Sequence, residues 1–158
     1  MVRFFTMRVF AGFVGAQVLL LAAAVSAGDR TAEEARPRVE HHLLEAEQIV
    51  RHFEGVIAEE CPRFDTAAER RAYVDGEVER VVLLVAHLEE AWSEAKRTSD
   101  KDVRRAAKAP RAQVSQAQSL VTKLQNCVGD DSANLEPRAV WRRVEREVPR
   151  RRAEIALP

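Results

Sequence analysis

Cysteine, glycine and aromatic residues are scarce in this 158-residue chain, and its only methionines, Met1 and Met7, stand at the extreme N terminus. Each scarcity removes a chemistry. Cys61 and Cys127 are too far apart for a CxxC redox motif or a zinc site of paired cysteines, and no CxxCH is present to attach a haem covalently. With methionine confined to the N terminus, a His/Met axial pair is excluded from the rest of the chain. The six glycines form no phosphate-binding loop, and neither GxSxG nor HExxH occurs. Adjacent carboxylates such as Glu59/Glu60 and Glu89/Glu90 point in different directions from a helix and make poor acid/base dyads. A non-enzymatic protein without a cofactor is expected. Excess charge is missing as well: 25 Lys and Arg balance 25 Asp and Glu, which argues against a nucleic-acid partner.

The one long hydrophobic run is N-terminal. Arg3 and Arg8 are the only charges in the first 27 residues, and the apolar stretch Val9 to Val25, interrupted by Gln17, closes on "AVSAG". Ala27 and Val25 suit positions −1 and −3 of a signal-peptidase site, so export to the periplasm or medium with cleavage after Ala27 is expected. No cysteine follows to carry a lipid. The alternative is a retained signal anchor, since roughly 18 apolar residues can span a bilayer. Residues 28–158 then form one domain; losing Arg3 and Arg8 leaves 23 basic against 25 acidic residues.

In that domain apolar residues recur at alternating spacings of four and three. The runs are Val39, Leu43, Ala46, Val50, Phe53, Ile57; then Val74, Val78, Val81, Val85, Leu88, Trp92, Ala95; then Val103, Ala107, Pro110, Val114, Ala117, Val121, Leu124, Val128. A mean period of 3.5 predicts helices that supercoil on a partner. "TAAE" at 66–69 reads as a capping box and "SDKD" at 99–102 as a second start, while Pro62 and Gly129 read as stops. A fourth helix, capped by Asn134, carries Trp141, Val144 and Val148 and is ended or bent by Pro149. The prediction is an all-α, antiparallel three- or four-helix bundle with coiled-coil-like packing and helices at about 38–60, 66–97, 101–126 and 135–148. Pro110 is expected to kink the third.

An even cysteine count in an exported chain predicts a Cys61–Cys127 disulfide, placed where the first turn meets the end of the third helix. Continuous helices would leave the two sulfurs offset by five residues, roughly 7.5 Å along the axis.

Two constellations remain for function. Seven arginines lie between Arg138 and Arg152, and Lys101, Arg104, Lys108 and Arg111 share a face of the third helix. With Arg142, Arg143 and Arg146 they form a candidate contact surface for a protein or an anionic envelope surface. The competing expectation is internal, with the positive edge of the third helix set against the acidic first helix. His41, His52 and His87 are candidate ligands for a metal- or haem-carrying bundle, although the paired ExxH motifs of diiron bundles are absent. A binding or adaptor role is the leading expectation. Cofactor carriage and an envelope stress chaperone are the alternatives, and the heptad seams leave homodimerisation open.

Overall fold

The computed structural model describes residues 30–108, 111–129 and 135–158, with side chains left out at 111 and 112. The expected signal segment, Pro110, the Arg111 side chain and Asn134 therefore lie outside the described residues. Within them the chain is all-helical: α1 (Ala32–Ala58), α2 (Ala67–Lys96), α3 (Lys101–Ala106), α4 (Arg111–Val128) and α5 (Pro137–Ile155).

Helix α1 begins six residues before the expected start because "TAEE" is a capping box. The Thr31 hydroxyl accepts from the Glu34 N–H at 3.2 Å, and the Glu34 carboxylate accepts from the Thr31 N–H at 3.0 Å. This closure and the burial of Ala35 outweigh the hydrogen bond missing at Pro37. Helix α2 starts as expected at Thr66, which accepts from the Glu69 N–H, but the Glu69 carboxylate reaches the Asp65 N–H instead of completing the box.

The expected third helix is two helices, so five are described instead of three or four. Asp100 caps α3 by accepting from the N–H groups of Asp102 and Val103 at 2.9 and 2.8 Å, and α3 ends at Ala106. Proline at 110 has no N–H for the carbonyl of residue 106 and disfavours helical geometry at 109. The expected kink is therefore a break. Gly129, at φ +61°, follows α4 in the left-handed conformation. Helix α5 opens on Pro137, whose ring suits a first turn, and continues through Pro149 to Ile155 instead of stopping at 148. Buried Val144 and Val148 precede that proline, and ion pairs from Arg151 and Arg152 to α2 hold the turn after it.

Side-chain contacts give the directions. Arg30, before α1, pairs with Glu94 near the end of α2, while His52, late in α1, meets Glu77 early in α2; the two helices are antiparallel. Helix α5 runs with α2, since Arg143 pairs with Asp75 and Arg152 with Glu89 and Glu90. The end of α4 returns to the end of α1, where Cys61 and Cys127 are bonded with their Cα atoms 5.2 Å apart. Because α1 stops at Ala58, Cys61 lies in a non-helical stretch and the anticipated axial offset is absorbed there.

Helix α2 is the centre. It packs against α1, α3, α4 and α5, and it buries residues on several faces. The larger core joins Phe53, Leu84, Leu120, Leu124, Val140 and Val144, and a smaller one joins Ala35, Val39, Ala95, Val103 and Ala107. Although consecutive, α4 and α5 do not share a substantial interface. Among the described residues no helix is long and apolar enough to cross a membrane.

Candidate binding groove and a buried histidine pair

The separation of α4 from α5 opens a groove over α2. Its wider part, about 420 Å³, has Val85, Leu88 and Trp92 of α2 as floor, with Ala107 and Val114 on one side and Trp141 of α5 on the other. Its narrower part, about 250 Å³, lies over Val81 between Ala117 and Val121 of α4 and Pro137 and Val140 of α5; Trp141 lines both parts. The floor residues follow the heptad seam of α2. Val78, Val81, Leu88 and Ala95 of that seam are buried, whereas Val74, Val85 and Trp92 are only partly so. Both tryptophans of the chain stand in this groove.

Cations border it. Lys108 stands on the α3–α4 side, Arg138 and Arg142 beside Trp141, and the Lys96 ammonium lies 5.2 Å from the centre of the Trp92 ring. The facing acids are Glu145 and Glu89, the latter held by Arg152 at 3.3 Å.

The expected basic surface is divided. Lys101 is exposed on α3, and Arg104 turns back to donate from Nε to the Thr98 carbonyl at 2.7 Å. Lys108 falls after the end of α3, so these residues do not form one continuous helical face with position 111. On α5, Arg143 is taken up by Asp75 at 2.9 Å, Glu79 at 3.5 Å and Glu147 at 3.2 Å. Arg146 pairs with Glu147, Arg151 with Glu79, and Arg152 with Glu89 and Glu90. Desolvation opposes the Arg143 charge, but the hydrogen bonds it donates to Asp75 and Glu147 prevail and raise its pKa. The described internal charge pairing thus joins α5 to α2; the expected apposition of the third helix with α1 is instead made by apolar Val103 and Ala107 against Ala35 and Val39. Of the expected contact residues, Lys108 lines the groove and Arg142 the adjoining hollow beside Trp141.

The histidines do not converge as expected. His41 is exposed, and His52 sits 3.0 Å from the Glu77 carboxylate, which also takes Arg80 at 2.9 Å. His87 meets His42, a residue the apolar pattern passes over: their Nδ1 atoms are 3.1 Å apart in the α1–α2 interface, with His42 fully buried and Nε2 of His42 without a hydrogen-bond partner. One Nδ1–H donates and the other Nδ1 accepts, so the two rings cannot both be protonated while this bond is made. Burial is the main cause that lowers both pKa values, that of His87 to about 4; each ring also has the other or His41 as an opposing charge, and Glu45 pulls weakly the other way. Among the described residues no group of three His, Cys, Asp or Glu side chains is placed to hold a metal ion.

Comparison with protein-family models, curated proteins and solved structures finds no match.

Proposed function

We propose that this chain is an exported, non-enzymatic helical binding protein, an antiparallel bundle with coiled-coil-like packing whose groove over α2 receives a helical segment of another protein. The observation that supports this most is the partly covered seam: Val85 and Trp92 continue the apolar register of α2 but are only partly buried, lining a groove beside Trp141 of α5. Seams of this kind are ordinarily closed by the side chains of a further helix. The disulfide suits an oxidising compartment.

An exposed apolar groove also suits the chaperone reading, in which unfolded clients are held without regard to sequence. Specificity separates the two. Val85→Glu places a charge on the groove floor at a position that packs on the larger core from its partly exposed side. With anilinonaphthalene sulfonate as an apolar probe, the native protein is expected to bind one equivalent and show energy transfer from tryptophan, both lost in Val85→Glu at unchanged helicity. Absence of native-state probe binding would contradict the proposal, and multi-site binding to many unfolded chains would favour the chaperone.

A further inference from the structure

We infer that the groove selects an acidic amphipathic helix of about two turns; this rests on the binding role proposed above and adds the chemistry of the partner. The length follows from the floor. Val85, Leu88 and Trp92 are spaced three and four residues apart, and 7 residues at 1.5 Å each give roughly 10 Å of seam. A seam at heptad spacing matches a helix presenting its own alternating three- and four-residue stripe, and it does not match the period-two faces of a strand. The floor offers apolar contact, so the occupant brings an apolar face.

Charge sets the other face. Lys108 lines the groove and Lys96 lies over Trp92 at its floor, while Arg138 and Arg142 share with Glu145 the adjoining hollow beside Trp141; among the described residues these four cations have no ion-pair partner, whereas neighbouring Arg143, Arg151 and Arg152 are all engaged by α2 or α5 carboxylates. A helix lying between these rims carries acids on both flanks of its apolar stripe, as the edge positions of paired helices do.

Two occupants from the chain itself fit poorly. The apolar stretch Val9 to Val25 contains no acidic residue. The outer face of α1 in a second copy is acidic, but Leu44 is the only large hydrophobic side chain exposed among the described residues, so that face lacks a stripe.

The test uses two tryptophan-free peptides with the same apolar heptad face, one with Glu and one with Lys at the flanking positions, titrated into the purified protein while its two tryptophans are read by fluorescence. The acidic peptide is expected to blue-shift the emission and to bind at least tenfold more tightly than the basic one, with the difference shrinking at high salt. Lys108→Glu with Arg142→Glu is expected to reverse the order. Equal binding of both peptides, lost in Val85→Glu, would overturn acidic selection and leave the binding role standing. Binding of neither would overturn both. A tryptophan shift produced by anionic phospholipid vesicles but not by the acidic peptide would overturn the inference in favour of a membrane surface.

Discussion

The buried imidazole pair has a direct consequence for stability. His87 titrates near 4 in the folded chain and near 6.5 when unfolded, so the unfolded state binds the extra proton as pH falls between those values. Stability is therefore flat above about pH 6.5 and declines below it, by about 2 kcal/mol between pH 7 and pH 5. His42, lowered in the same direction by burial, adds to the decline. Glu45, Glu90 and Glu94 face His42 and soften the effect without reversing it. Urea unfolding across that range checks the slope, and His42→Leu with His87→Leu is expected to flatten it. The pair was hard to read in the sequence because Leu43 beside His42 offers an equally regular apolar spacing. In the structure Val39, His42 and Ala46 are buried while Leu43 is only partly so, and a burial difference between adjacent positions is set by a partner helix the sequence does not show. One signal was available: two histidines on different helices, each set among apolar neighbours.

Helix ends depended on local chemistry that the sequence displays, and prolines depended on what surrounds them. Thr66, Asp100 and Gly129 mark boundaries by hydrogen bonding or by backbone conformation; Thr66 and Gly129 were legible, and the SDKD start was legible although its cap is Asp100 and not the first residue of the box. Thr31 caps α1 in the same way, and its capping box offsets the cost of Pro37. Thr66→Ala is expected to lower stability by about 1 kcal/mol through loss of the cap, measured by thermal unfolding. Pro149 is exposed inside α5, and tertiary contacts on both sides of it carry the helix onward. Pro149→Ala restores a donor for the carbonyl four residues earlier and is expected to raise stability by about 1 kcal/mol or more. The ion pairs that hold α5 were written in the sequence as two separate patterns, the arginines of residues 138–152 and the acids Asp75, Glu79, Glu89 and Glu90 of α2. Only the packing of α5 alongside α2 joins them.

At the level of the whole molecule, the disulfide and the groove lie at different stations along α2. The Cys61–Cys127 bond ties the start of α2 to the end of α4 and closes a long loop, worth about 4 kcal/mol in the chain-entropy account. Cys61→Ser with Cys127→Ser is expected to lose about that much in denaturant unfolding while keeping the helical content in native buffer. The cysteine pairing was legible from the even count and the expected export. The groove was not, because heptad spacing says that a helix has a seam and not which stretch of it is left uncovered; that follows from the break between α3 and α4 and from the divergence of α4 from α5. Iodide quenching of the free protein tests most directly whether that stretch is open in solution, since Trp92 and Trp141 are its only tryptophans and both line the groove. Both are expected to be quenched, independently of protein concentration, and protected when the acidic peptide is bound. Emission from the free protein that iodide cannot reach would contradict an open groove.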